Sequence, residues 1–264
     1  FVDRFGAEHP EYIGMDANGK RYLDKSSPYY GNICMTNPGL REELYKDAEA
    51  YLTGKSAASR GLKNWDPSIC QPGFFNIMPK DHFRDCECPR CKEFYKKYSK
   101  ADLVWDLTAD IGRRLLKNKI PGYITALAYG HYTDVTKIDL PSNLLMMVSV
   151  RGPWAEMTPA KDDFDKRIDG WKKKTLRKPW LWSAVYKYGG LELPNVPPTT
   201  PRTIASYFAR EKDRISGTFM ESETDHWIFS YLNYYFMAKS TWDNSLDYNA
   251  MLKEHHRLMF GAGA

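Results

Sequence analysis

At 264 residues, with 42% hydrophobic and 27% charged residues, the chain has enough apolar material for a full core, which excludes an intrinsically disordered protein. Its net charge of +5 is interleaved with acids, as in KDDFDKRIDGWKKKTLRK over residues 161–178; this reads as the solvated face of an amphipathic helix, not as a basic stripe for nucleic acid. No apolar run approaches the roughly 20 residues that a membrane-spanning helix requires.

The start, Phe1-Val2-Asp3, carries neither an initiator Met nor a signal-peptide pattern and reads as an internal cut, so it assigns no location. Residues 31–35 (GNICM) read as a short strand. Thr36 or Asn37 then serves as the N-cap of a helix with Pro38 in its first turn, Leu40, Leu44, Ala48 and Leu52 on one side, and Gly54 at its end. Residues 54–72 are polar and irregular, too long for a plain connector, and read as a loop over a site. Residues 74–78 (FFNIM) form the next predicted strand; Pro79 stops it and Asp81 sits just past its end. A helix starts at Ser99, with Asp102 three residues on in a near capping box, and Leu103, Leu107, Ile111 and Leu115 recur every four residues.

Further strands are predicted at 123–129, 143–150, 179–186 and 217–220. Helices between them are marked by Phe164, Ile168 and Trp171, and by Thr200-Pro201 leading to Ile204 and Phe208. A last helix starts near Asp247, with Met251, Leu252 and Leu258 facing inward, and the Pro-rich stretch 189–201 is a second candidate loop over a site. The six predicted strands are apolar runs, not alternating ones, so the pattern is a βα repeat with parallel, doubly covered strands. Each ends in a polar or aromatic group: Asn37, Asp81, His131, Arg151, Tyr186 and Glu221.

In order along the chain come HPEY at 9–12, GKR at 19–21, CMTNP at 34–38, PKD at 79–81 followed by CECPRC at 86–91, ALAYG at 126–130 and LNYYFMAKSTWD at 232–243. This series resembles a bacterial family of unknown function related to glycoside hydrolases, whose barrel is similar to those of the hexosaminidase and α-glucuronidase enzymes. The resemblance implies that residues 1–264 are a single catalytic-type domain with a (β/α)8 TIM-type barrel. The six strands would be its third to eighth, the first two lying before Phe1. It also suggests an oligosaccharide or polysaccharide substrate and an extracellular or periplasmic location. A barrel lacking two strands would have exposed edges, so either the upstream part precedes this sequence or the fold is an open sheet.

Glycoside hydrolysis needs a proton donor and a second carboxylate acting as base or nucleophile. Asp81 and Glu221 are the two carboxyls that the strand pattern places on the rim, with Glu223 in reserve for Glu221. The plainer alternatives are a turn cap for Asp81 and helix-start charge for Glu221 and Glu223. Tyr129, His131, Arg151, Trp182 and Tyr186 would complete the rim as hydrogen-bonding and stacking groups, with Asn37 at the third-strand tip and Trp227 facing the same cleft or packing. The 18 Tyr, 12 Phe and 8 Trp suit sugar faces, although a filled core is the commoner use of a ring. A non-catalytic glycan-binding module on the same scaffold is the alternative to an enzyme. Catalysis of this kind requires no cofactor.

Cys86, Cys88 and Cys91 form CxCxxC, and Cys34 is a candidate fourth ligand for a structural Zn²⁺ with no open position. The rival reading is a disulfide, for instance between Cys34 and one of the three, and Cys70 is left over in either scheme. No GxGxxG, GxxxxGK, HExxH or GxSxG motif occurs.

Overall fold

The computed structural model describes residues 1–184, 200–221 and 227–263, and it divides into two compact units, Phe1–Met146 and Met147–Ala264. Tyr186, Glu223 and most of the 189–201 stretch lie outside the described residues.

The first unit opens with a short helix, α1 (Val2–Phe5), and its next long element is α2 (Pro38–Leu52). Asn37 is the N-cap of α2: its Oδ1 accepts from Gly39 N at 2.8 Å and Leu40 N at 3.2 Å, and Pro38 fills the first helical position, where no N–H is needed. A tight hairpin follows, β1 (Cys70–Gln71) paired antiparallel with β2 (Phe74–Asn76). Gly73 makes this turn with φ +79°, a conformation that a side chain would strain. After α3 (Pro89–Tyr95) comes α4 (Lys100–Lys117), which crosses over to β3 (Tyr123–Ala128), parallel to β2. Trp105, Leu107, Ile111 and Leu115 of α4 are all but fully buried, together with Leu40 of α2 and Ile124 of β3. β4 (Leu144–Ser149) begins in the first unit and ends in the second.

The second unit continues with α5 (Lys161–Thr175), β5 (Trp180–Ala184), α6 (Pro201–Glu211), β6 (Gly217–Glu221), α7 (Trp227–Trp242) and α8 (Tyr248–Phe260). β4–β5 and β5–β6 are parallel pairs. Ile168 and Trp171 of α5, Leu181 of β5, Ile204 of α6 and Phe236 of α7 are completely buried. Asp165 of α5 accepts from Lys161, Arg210 and Arg214; its burial opposes the charge, but these cations hold its carboxyl down at about 2. Leu258, expected to face inward, is exposed.

The fold is α/β, but the expected (β/α)8 barrel, or its third to eighth units, is not what forms. The strand order is β1-β2-β3-β4-β5-β6 in one mostly parallel sheet with one antiparallel pair. The predicted strand at 31–35 is replaced by a single antiparallel bridge, Ile13 to Ile33. The reason lies in its backbone partners. Gly31 N donates to Tyr22 O, Asn32 O accepts from Gly14 N and Cys34 N donates to Tyr12 O, so these groups are not available to a neighbouring strand. The sixth strand is instead Cys70–Gln71, inside the region expected to be loop, because Gly73 folds it back onto β2.

The start of α4 illustrates how strongly local chemistry fixes these elements. Ser99 Oγ accepts from Asp102 N at 3.0 Å while Asp102 Oδ2 accepts from Ser99 N at 3.1 Å, a complete capping box. The other oxygen, Oδ1, accepts from Thr136 Oγ1 at 2.5 Å and Lys137 N at 2.9 Å, which ties the helix to the 133–138 loop. Burial alone would raise the pKa of Asp102, but the donors from Thr136, Lys137 and Ser99 outweigh it and hold the carboxyl below its ordinary value. A depressed folded-state pKa stabilises the fold above the unfolded pKa of about 3.9 and loses that contribution as pH falls through the folded value. Asp102→Ala is therefore expected to lower stability by about 2–3 kcal/mol at pH 7 and to reduce the acid sensitivity of the remainder, as read by urea unfolding between pH 7 and pH 3.

Candidate metal centre and carboxylate site

The sulfurs of Cys34, Cys86, Cys88 and Cys91 all lie within 4.8 Å of one another, and all four residues are buried. Cys34 is fixed from both sides, its N–H donating to Tyr12 O and its carbonyl accepting from Asn37 N, the α2 cap residue. Cys88 is the N-cap residue of α3 and Cys91 the third helical residue, with Pro89 at the first. The N-cap and third positions face one another at a helix start, as in a capping box, which is why a CPRC spacing delivers two sulfurs to one point. Cys34 Sγ is 3.5 Å from Cys88 Sγ and 3.8 Å from Cys91 Sγ.

Other groups hold the cluster in place. Met15 N donates to Cys86 Sγ at 3.3 Å, and Thr36 Oγ1 lies 3.1 Å from Cys91 Sγ. Glu87 N donates to Met15 O, and the hydroxyls of Tyr22 and Tyr95 donate to the carbonyls of Asp85 and Cys86. Hydrogen bonds from Cys86 and Cys91 push the Cys34 thiol far down, whereas donating to Cys34 pushes Cys86 up to about 12 and raises Cys91 as well. A cation among such sulfurs favours the thiolate form. Cys70, on β1, stands apart from the cluster, and its burial pushes its thiol up to about 11.

The rival disulfide does not form: all five cysteines are free thiols. The hydrogen-bonded supports hold the sulfurs as a group of four around a common point, where a disulfide would draw two of them together and leave the others behind.

The sequence-predicted rim residues fall into two groups. In the first unit, Ile77 N extends the β2 ladder to Thr125 O, and Asp81 follows on an exposed turn beyond Pro79. Phe83, two residues past Asp81, stacks on the His131 ring at 5.1 Å and 9°. His131 Nε2 is 3.6 Å from Asp85 Oδ1, so the segment entering the cysteine cluster also holds the turn at the tip of β3. Tyr129 is exposed beside it. Asn37 is buried, its amide occupied by the α2 cap and by Glu11 O, so it presents nothing to a cleft.

In the second unit the parallel register places side chains in rows. Met147, Trp180 and Gly217 form one row, and Ser149, Trp182 and Phe219 the next, with Glu221 opposite Ala184 at the tip of β6. Trp182 Nε1 donates to Glu221 Oε2 at 3.1 Å, and the rings of Trp182 and Phe219 are 4.5 Å apart. The Trp180 ring lies over Gly217, where an added Cβ would come within 2.8 Å of it. Trp180 and Phe219 are each 45% exposed, whereas Val148, Leu181 and Ser183, which point the other way, are buried. Arg151 is exposed at the start of the Gly152–Ala155 turn, and Trp227 is the exposed first residue of α7, stacked on Tyr234.

Of the predicted group, Trp182 and Glu221 are thus brought into contact. Asp81 belongs to the first unit and Glu221 to the second. Sequence reasoning missed Trp180, Phe219 and Asp85. The W-x-W spacing at 180–182, two residues on one strand face, was the available signal for the first.

Because the thiols are free, the unfolded protein assayed without reductant is expected to react with Ellman's reagent at five thiols per chain. A reading two lower would reveal an oxidised pair.

No curated protein and no solved structure matches the chain. The family model described as a domain of unknown function (DUF4838) matches residues 1–264, and the chain belongs to that family.

Proposed function

We propose that this chain acts on carbohydrate, hydrolysing a glycosidic bond with Glu221 as the reacting base or nucleophile, and that Cys34, Cys86, Cys88 and Cys91 hold a structural zinc ion. The observation that carries the first part is the contact between Trp182 and Glu221. An indole N–H fixes where the carboxylate points, and the same sheet face offers the flat rings of Trp180 and Phe219, which suit the apolar faces of sugars. The resemblance of the motif series to sugar-cleaving enzymes supports the same reading.

Zinc suits the second part because Zn–S bonds of about 2.3 Å in a tetrahedron place sulfurs about 3.8 Å apart. The spacings from Cys34, 3.5 and 3.8 Å, lie close to that value. Four thiolates around Zn²⁺ carry a net charge of −2, which the Met15 N–H and the N-terminal end of α3 offset in part. Such an ion has no coordination position for substrate and supplies folding free energy, not chemistry. It holds the segment before α3 to the Cys34 turn, and with it the Asp85 and Phe83 supports of His131.

For the glycan reading, Glu221→Gln in the full-length protein is expected to lower turnover of a hydrolysable glycan by at least about 100-fold with binding retained. Unchanged turnover overturns Glu221 as the reacting carboxylate. Binding by the unaltered protein without any turnover favours a glycan-binding module. For zinc, the reduced protein is expected to hold one equivalent by elemental analysis. Cobalt substitution should produce intense thiolate charge-transfer absorption, and both should be lost in Cys88→Ser but kept in Cys70→Ser. Zinc binding must expel thiol protons, so affinity should fall as pH drops below neutral. Zinc far below one equivalent would leave four buried free thiols.

A further inference from the structure

The buried residues of α8 are Met251 and His255, one turn apart, whereas Leu258, Met259 and Phe260 in its last turn are each more than half exposed. A 13-residue helix is marginal by itself in water, so α8 depends on each side chain that it tucks against the second unit. One of its two buried side chains is therefore a titratable imidazole, which neither the glycan nor the zinc reading uses.

His255 is 4% exposed and sits in a box of rings. Tyr231 and Tyr235 of α7 lie 5.6 and 5.3 Å from it, centroid to centroid, and His256 and Phe260 of α8 lie 5.6 and 6.2 Å away. Neither of its ring nitrogens has a hydrogen-bond partner among the described residues. A neutral imidazole leaves one N–H and one lone pair unsatisfied there, and an imidazolium would leave two N–H groups and a charge. The groups that could offset that charge are committed elsewhere. The Tyr235 hydroxyl donates to Met251 O at 3.3 Å and to Glu254 Oε2 at 3.0 Å, and Glu254 also pairs with Lys239 of α7 at 2.7 Å. On α6, Arg210 and Glu211 belong to the Asp165 network, and Arg202 lies over the Tyr248 ring, about two turns back along α8. Lys253 and Arg257 of α8 are exposed. Burial first, and the neighbouring His256 charge second, push the pKa of His255 below its ordinary value.

We propose that His255 is a pH-sensitive clasp: neutral, it packs between the α7 tyrosines and holds α8 in place; protonated, it leaves the ring box for water and releases α8 from α7. A folded-state pKa below the unfolded value of about 6.5 means that the clasp is at full strength above that pH and weakens as pH falls through the folded value. Release separates Phe236 of α7, which is completely buried, from Tyr248 of α8, whose ring lies 5.2 Å from it, so mild acid exposes an apolar face of the second unit. The proposal does not depend on the glycan or the zinc reading.

The test is amide hydrogen exchange on the full chain, with each rate corrected for intrinsic exchange at its pH. Taking up one proton on opening favours the open form by up to about tenfold per pH unit, so protection of the α8 amides is expected to fall about fivefold between pH 7.5 and pH 5.5, and that of α4 by less than about twofold. His255→Phe keeps a ring in the box and removes the nitrogens, and it is expected to reduce the α8 change to less than about twofold. His256→Gln leaves the buried imidazole in place and is expected to retain the change. Unaltered α8 protection in the unsubstituted protein, a fall that persists in His255→Phe, or a fall lost in His256→Gln overturns the clasp. The ring protons of His255, followed by NMR in the unsubstituted protein, are expected to titrate with a midpoint below about 6.5, and a midpoint at or above that value overturns the clasp even if His255→Phe does not fold.

Discussion

Four buried sulfurs gathered within 4.8 Å of one another impose the main constraint on the first unit. The stretches around residues 12–15, 31–37 and 84–91 contain little regular structure, although Tyr12, Ile13 and Met35 are buried. What holds them together is the cluster: Cys34 beside the α2 cap, Cys88 and Cys91 at the start of α3, and Cys86 under the Met15 N–H. The same constraint explains why residues 31–35 do not become a strand, since their backbone pairs with the 12–14 turn that the cluster requires nearby.

Candidate site residues sit at the ends of what this arrangement holds. The segment that enters the cluster passes Asp81, Phe83 and Asp85, and two of these three touch His131 at the tip of β3. A cluster with no open position can therefore matter to a site without reacting in it, by deciding how far the loop carrying a candidate acid can move.

The second unit rests on a simpler rule. Parallel strands alternate their side chains, so one face of β4, β5 and β6 is buried with Val148 and Leu181 while the other presents Trp180, Trp182 and Phe219. Exposing large rings forgoes the free energy of burying them, which a sheet tolerates when that face meets a ligand or another surface. Glu221 closes this row, and the Trp182 indole donates to its carboxylate.

Much of this was legible along the chain because it depends on neighbours three or four residues away. The Asn37-Pro38 start of α2, the Ser99–Asp102 capping box, the CxCxxC spacing and the strands expected at 74–78 and 217–220 and found at 74–76 and 217–221 all follow from short-range geometry. Strand order and pairing depend on which backbone groups remain free after distant segments have met. For that reason the barrel expectation failed, the strand at 31–35 dissolved into a bridge and Cys70–Gln71 paired back on β2. The absence of a disulfide, the stacking of Phe83 on His131 and the indole bond to Glu221 belong to the same class. Residue types and spacings selected the chemistry that each segment carries, and long-range packing alone selected which partners it meets.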